Sequence, residues 1–200
     1  MGLDMYLYAE RNVMNASAEM VENFPQYAED RETYSMLDTI IGENLPSAEF
    51  GGISISKCVA YWRKANAIHG WIVRECADGV DECQRIYIGR EKLTELRNLC
   101  VNSLANRDTA TPAVDKTISI DLEGTEDKVP LAIMSEIMRQ RDNRNSTAVI
   151  DDPLAPTSGF FFGSTEKDEW YYKDLEYTVE IINSLLANDE KWSYYYQASW

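Results

Sequence analysis

The sequence predicts an α+β fold in which a small, mostly antiparallel sheet packs against three to five helices. Three strand-like segments lie near residues 3–10, 159–163 and 192–199, far apart along the chain. Longer segments with helical periodicity separate them, so the strands must pair non-locally. The chain has 200 residues and 44% hydrophobic content, which is enough to bury one core, and we expect a single domain over residues 1–200.

The strand predictions rest on alternation and on aromatic content. In residues 3–10, apolar side chains alternate with polar and aromatic ones: Leu3, Asp4, Met5, Tyr6, Leu7, Tyr8, Ala9 and Glu10. The segment 192–199 is aromatic and contains neither proline nor glycine, which is typical of a strand. Gly159 and Gly163 bracket an apolar run of three phenylalanines, which predicts a short buried strand. If the first and last strands are neighbours, their tyrosines form cross-strand pairs.

Four segments have a helical pattern. The first covers residues 57–77, the second follows Gly89, the third starts at Pro130 and the fourth covers residues 166–187. The second segment carries an apolar face formed by Leu93, Leu96, Cys100, Val101 and Leu104. The fourth carries a buried stripe formed by Leu175, Val179, Ile182, Leu185 and Leu186.

The remaining segments give weaker patterns. Residues 14–48 predict one or two short helices around Pro25. Residues 106–129 predict a loop or an insertion, with a short strand at residues 118–122. No internal repeat, heptad run or low-complexity tract is present in the sequence.

The composition predicts a soluble, cytoplasmic protein with an acidic surface. The formal net charge is -15, which repels nucleic-acid phosphates, so we expect no direct nucleic-acid binding. No apolar run approaches the roughly 20 residues that a membrane span needs, and the N-terminus lacks the layout of a signal peptide. The cysteines form no Cys-x-x-Cys pair, and their spacing to the histidine fits no structural zinc pattern. We therefore expect reduced cysteines, no metal and no cofactor.

The segment Tyr61–Trp71 contains the only histidine of the chain. Projection as a helix places His69 in the middle of the apolar face and Asn66 at its edge, with Lys64 and Trp71 on the opposite, wetter side. A histidine in the middle of a buried face needs hydrogen-bond partners for both ring nitrogens. Two interpretations stay open, a hydrogen-bonded core histidine and a general acid/base or ligand contact at the floor of a pocket.

Two further places combine polar side chains with predicted elements. Asp4 lies in the opening strand, where a covered and unpaired carboxylate would be costly, so we expect either pairing with Arg63 or exposure on an edge strand. Ser164 and Thr165 lie at the predicted start of the fourth helix, and Thr165 with Asp168 resembles a capping pair. Free N–H groups at such a helix start can also hold an anion. No lysine follows at the spacing of a phosphate-binding loop.

Four sequence blocks stand out as a set: Met1–Leu7, Tyr61–Trp71, Ser158–Thr165 and Tyr195–Trp200. Taken together, they resemble a family of small acidic proteins from tailed phages and bacterial prophages. Asp78-Gly-Val-Asp81 and Cys83 also fit the pattern of that family. The resemblance implies a phage-linked protein of the host cytoplasm and no particular activity. If the protein has a site, we expect it where these blocks converge.

Three functions follow from these patterns. The first is a non-enzymatic phage accessory protein that binds a host protein or a small ligand and counters host defence. The second is a small hydrolase or transferase acting on a nucleotide-like substrate, with His69 as acid/base and Asp4 as its orienting group. In that alternative Arg63 and Lys64 contact the anionic part of the substrate. The third is an acidic mimic of nucleic acid. Without assigning a catalytic residue, we predict these ligand-binding residues: Asp4, Arg63, Lys64, Asn66, His69, Ser164 and Thr165.

Overall fold

The structure is a computed structural model that describes residues 2–42, 51–107, 152–159, 162–188 and 191–200. Contacts group Met1–Leu104 with Leu154–Trp200 into one compact unit and Ala105–Pro153 into a second. The helix predicted from Pro130 and the strand predicted at residues 118–122 lie outside the described residues, as does most of the loop or insertion predicted nearby.

An antiparallel sheet of four strands organises the first unit. In chain order the strands are β1 (Asp4–Met14), β2 (Gly52–Arg63), β3 (Ile86–Ile88) and β4 (Ser193–Ser199). Their order across the sheet is β2–β1–β4–β3, so the first strand of the chain pairs with both β2 and β4. The α+β prediction is confirmed, and so are the predicted first and last strands.

The central strand β1 has one buried face and one outer face. Met5, Leu7 and Ala9 are buried, whereas Tyr6 and Tyr8 point to the other face and are half-buried. The register places Tyr8 opposite Tyr195 of β4, which is the cross-strand tyrosine pair expected from the sequence. The Arg85 guanidinium lies over both of these rings, 4.4 Å from the centroid of Tyr195 and 5.7 Å from that of Tyr8.

The helix predicted over residues 57–77 is wrong in its first half. Residues 57–63 belong to β2, and the helix α3 covers only Asn66–Cys76. Ala60 and Trp62 are buried while Tyr61 and Arg63 are exposed, a period of two that favours a strand. The same apolar residues also fit a helical face, and only pairing with β1 decides between the two.

The strand predicted at residues 159–163 is wrong at its described positions. Phe162 lies in a turn, and its N–H donates to the Gly159 carbonyl at 3.1 Å. Gly163 has a φ of 91°, which belongs to the left-handed region that glycine tolerates best. The bracketing glycines therefore favour a turn over a strand, and β2 and β3 complete the sheet instead.

The predicted helices around Pro25, after Gly89 and near residues 166–187 are confirmed. The first two helices are α1 (Ala18–Asn23) and α2 (Ala28–Ile41), separated by a short 3-10 turn. They are followed by α3, by α4 (Arg90–Ala105) and by α5 (Glu169–Leu186). None of the helices in the described ranges is long and apolar enough to span a membrane.

The predicted apolar face of α4 and the predicted cap of α5 each need one correction. In α4, Leu93, Leu96 and Cys100 are buried as expected, but Val101 is 39% exposed because it lies one position past the core-facing stripe. The start of α5 is capped by Asp168, whose carboxylate accepts from the Tyr171 N–H at 3.0 Å. Thr165 does not cap this helix, because it lies three residues before the capping position.

Candidate functional site

The only histidine of the chain is a core residue. His69 is 1% exposed, and its ring packs edge-on against Phe162 at a centroid distance of 5.0 Å. Its Nδ1 lies 2.7 Å from the Tyr196 hydroxyl and its Nε2 lies 3.0 Å from Asp81 Oδ2. A neutral ring protonated at Nε2 satisfies both contacts, because the carboxylate accepts and the hydroxyl donates.

Two neighbouring groups hold this histidine in place. Burial, followed by the Asp81 charge and Cys83, raises the pKa of Tyr196 well above its ordinary value, so the hydroxyl keeps its proton. The second Asp81 carboxylate oxygen accepts from the Trp200 indole N–H at 3.3 Å. Both ring nitrogens of His69 therefore have partners, and the geometry supports the core interpretation over a reactive one.

Asp81 was named from the sequence only within the resemblance to phage proteins, and its pairing with His69 was not predicted, although a signal for it exists. It follows the turn dipeptide Asp78-Gly79, which lies just after α3 and reverses the chain. Asp78, Gly79 and Cys83 all have positive φ, at 51°, 78° and 56°. This tight loop carries the Asp81 carboxylate back over the helix that bears His69.

Asp4 does not orient His69, which corrects the arrangement expected for an enzyme. The Tyr61 hydroxyl donates to Asp4, and Arg63 Nε lies 3.9 Å from the same carboxylate oxygen. Asp4 alternates with the buried residues of β1 and so belongs to the outer face of the sheet. His69 contacts the buried Tyr196 on the inner face. The expected pairing of Asp4 with Arg63 is present, but Tyr61 is the closer partner.

A cavity of about 450 Å³ lies between the β2–α3 turn and the first half of α5. Four of the predicted ligand-binding residues line it: Arg63, Lys64, Asn66 and Ser164. The other three predicted residues, His69, Asp4 and Thr165, do not line it. The cavity thus joins the second and third of the resemblance blocks, which are far apart in sequence.

Asn66 ties the two sides of the cavity together. It is 4% exposed, and its Nδ2 donates to the carbonyls of Phe162 at 3.0 Å and Ser164 at 2.7 Å. Ser164 Oγ in turn accepts from the Glu166 N–H at 3.1 Å. Both N–H groups of the Asn66 amide are therefore used in this clamp.

Lys64 occupies a strained position beside the cavity. Its φ is 63°, in the left-handed region, and its N–H donates to the Leu3 carbonyl at 2.8 Å. A Cβ added at Gly163 would lie 3.3 Å from Cβ and Cδ of Lys64, and one added at Gly2 would lie 3.4 Å from its Cε. The lysine side chain is therefore packed between two glycines that leave it just enough room.

Asp174 supplies a carboxyl group on the α5 side of the cavity. Burial, followed by the neighbouring Asp168 charge, raises its pKa from 3.8 to about 6. The other charged groups that line the cavity are Glu166 and Asp168 on the same side and Arg63 and Lys64 across from it. Neither Lys64 nor Asp174 forms an ion pair with any residue that the structure describes.

The sequence reasoning missed the α5 side of the cavity. Trp170 lines it and is 72% exposed, an unusual exposure for the largest apolar side chain. Tyr171, Asp174 and Thr178 follow one another at helical spacing, and the first and last are buried. An acidic residue between two buried positions of a predicted helix was therefore the sequence signal that could have located this side of the cavity.

Comparison with protein-family models, with curated proteins and with solved structures finds no match to this chain. The candidate site therefore rests on its own geometry.

We predict that the Tyr196 hydroxyl stabilises the core through His69. Tyr196→Phe leaves a buried ring nitrogen without its partner and is expected to lower the free energy of unfolding by about 1–3 kcal/mol. The control Tyr195→Phe removes a hydroxyl from the adjacent, outward-facing ring and should change it by less than about 0.5 kcal/mol. Urea denaturation measures both, and equal effects of the two variants would contradict the core role of His69.

We predict that glycine is better tolerated than alanine at position 64. Glycine normally destabilises a structured position relative to alanine, but here it also removes the cost of a left-handed conformation. Lys64→Gly should therefore be more stable to urea than Lys64→Ala by about 1 kcal/mol. A Lys64→Ala variant as stable as Lys64→Gly would show that the backbone at this position is not strained.

We predict that the Asp174 carboxylate destabilises the fold above about pH 6. Between 3.8, the ordinary pKa of the group, and about 6, the folded state binds more protons than the unfolded chain. Stability therefore falls as the pH rises through that window. Asp174→Asn cannot ionise, so it should exceed the wild type by on the order of 1 kcal/mol at about pH 7.5 and not at about pH 3.5.

Thermal melting at the two pH values measures this difference. Glu176→Gln, on the exposed side of the same helix, is the matched control and should stay within about 0.5 kcal/mol of the wild type at both. An Asp174→Asn variant that gains nothing at the higher pH would sink the prediction.

Proposed function

We propose that this chain is a non-enzymatic accessory protein that binds a small ligand in the cavity between the β2–α3 turn and α5. One observation carries the proposal. A cavity of about 450 Å³, within the size range of ligand sites, gathers Arg63, Lys64, Asn66 and Ser164 from separate parts of the chain. Concave sites with a few convergent polar groups on a rigid frame are the usual form of small-molecule sites.

The same geometry argues against the hydrolase or transferase reading. That reading needs His69 to reach a substrate, and His69 is 1% exposed with both ring nitrogens occupied. We therefore do not propose catalysis by this residue. The acidic mimic of nucleic acid stays a prediction of the net charge, and it would show as binding to a DNA-binding enzyme that weakens steeply with salt.

The resemblance to phage and prophage proteins supplies the setting of the proposal. It implies the cytoplasm of an infected host, where a bound small molecule would be of host or phage origin. Sequestering a host signal molecule is one way in which such a protein would counter host defence. The cavity supports the binding step of this proposal, and the setting comes from the resemblance alone.

A host protein is the second candidate, favoured by the outer face of the sheet. Five tyrosines lie on this face, half-buried or exposed: Tyr6, Tyr8, Tyr61, Tyr87 and Tyr195. Tyrosine and arginine are enriched at protein interfaces, and Arg85 stacks within this group. The purification described below also tests this candidate. A host protein that binds this face should co-purify with the wild type and should be lost in the Tyr87→Ala variant.

We expect native mass spectrometry of the protein purified from bacterial lysate to show a bound small molecule. Ser164→Trp places a large side chain at an exposed residue that lines the cavity and should abolish that binding. Thr165→Trp, at the adjacent exposed residue outside the cavity, should retain it.

Two results would contradict the proposal. One is a bound molecule that survives Ser164→Trp as well as Thr165→Trp, because it would then lie elsewhere. The other is a wild-type protein that carries no small molecule and gains no thermal stability from the small-molecule fraction of the lysate, since a ligand that binds the native state must raise its stability.

A further inference from the structure

The charged groups of the cavity are divided by sign between two chain segments. Arg63 and Lys64, at the end of β2, supply the cations. Glu166, Asp168 and Asp174, before and within α5, supply the carboxylates. Ion pairs hold many other charged side chains of this protein, such as Arg11 with Asp30, but within the described residues none joins the two signs across the cavity. Arg63 already lies 3.9 Å from Asp4, so Lys64 on one side and the carboxylates on the other are the cavity charges without a described ion-pair partner.

The cationic side is built to hold Lys64 in one place. The residue keeps a left-handed backbone conformation that glycine would adopt at lower cost. Gly2 and Gly163 leave room for its aliphatic chain, because a Cβ at either position would lie within 3.4 Å of it. The adjoining N-terminus of α3 has no side-chain cap and adds positive potential on the same side. A lysine held in this way, without an anionic partner among the described residues, is suited to an anionic group of a ligand.

The carboxylate side is correspondingly suited to a cation. Asp174 is partly buried beside Asp168, so the two like charges repel each other and no described cation relieves them. Asp168 already accepts the Tyr171 N–H as the cap of α5, which leaves Asp174 as the group with no such partner. A cationic group of a ligand would neutralise it and form a charge-assisted hydrogen bond.

Apolar and aromatic surface lies between the charged groups. Ala65 and Ile68 contribute on the α3 side, and Trp170, Tyr171 and Leu175 contribute on the α5 side. An aromatic or alkyl body would bury its apolar area there while its ends met the charges. The volume of about 450 Å³ suits a small molecule and excludes a folded partner.

We propose that the cavity binds a dipolar small molecule, with its anionic group at Lys64 and Arg63, its amine or other cationic group at Asp174, and its apolar body against Trp170 and Tyr171. This inference rests on the proposed function and names the class of its ligand. A carboxylate and a phosphate share the chemistry required at the lysine side. A molecule with a single charge leaves one of the two sides unneutralised.

The test uses three probes of one shape, titrated into the 200-residue chain by calorimetry and followed by NMR. The dipolar probe is 4-(aminomethyl)benzoate, and the singly charged probes are benzylamine and 4-methylbenzoate. The dipolar probe should bind at least about tenfold more tightly than either of the others, since each end adds a charge-assisted contact. Its binding should also weaken as salt rises.

Two variants that each remove one charge then show which end of the dipolar probe contacts which side chain. Lys64→Met should lower the affinity for the dipolar probe toward that for benzylamine, with Arg63 retaining part of the contact, and Asp174→Asn should lower it toward that for 4-methylbenzoate. Lys173→Met and Glu176→Gln remove exposed charges from α5 outside the cavity and should leave all three affinities unchanged. A singly charged probe that binds as tightly as the dipolar one, or a preference that survives both cavity variants, overturns the inference.

If no probe binds, the molecule that co-purifies from lysate tests whether the ligand is dipolar. A co-purified molecule that carries both charges and is lost in Ser164→Trp supports the inference. A co-purified molecule with charge of one sign, lost in the same variant, overturns the dipolar class and leaves the proposed function standing. The absence of probe binding, of a co-purified molecule and of thermal stabilisation by the small-molecule fraction of the lysate overturns the inference and the proposed function together.

Discussion

The buried amide of Asn66 is the interaction on which the rest of the site depends. A buried amide is costly unless its N–H groups are bonded, and here both donate to carbonyls of the segment that precedes α5. Asn66 is the first residue of α3, directly after the reversal at Lys64 that ends β2. One side chain therefore fixes the strand end, the helix start and the loop of Gly163 and Ser164 together, and the cavity is the space left between them.

Two features of this cavity oppose stability. Lys64 holds a left-handed backbone, and the Asp174 carboxylate is partly buried next to a like charge. Evolution can remove such costs with single substitutions, and a protein usually keeps them only where they serve function. His69 shows the opposite case: its ring is buried but both nitrogens are paired, so it is a stabilising part of the core.

The sequence was misread where one pattern satisfies two periods. Residues 57–63 supply apolar side chains that fit a helical face as well as an alternating strand, and β1 selects the strand. The helical projection also put Trp71 on a wet side, whereas it is 1% exposed, because α3 is buried around most of its circumference and has residues from Asn66 to Ile72 in the core. The strand β3 was missed because three residues give too short a pattern to recognise.

The sequence by itself determined the α+β class and the first and last strands, placed His69 in the middle of an apolar face, and named four of the residues that line the cavity. These follow from local periodicity and from residue chemistry, which neighbours in sequence reveal. Only the tertiary structure decided that Asp81 and Tyr196 hold the histidine, that Asp4 lies on the other face of the sheet, and that Asp174 meets Lys64 across a cavity. Those arrangements join residues far apart in the chain, and strand register and helix packing place them, which no local pattern encodes.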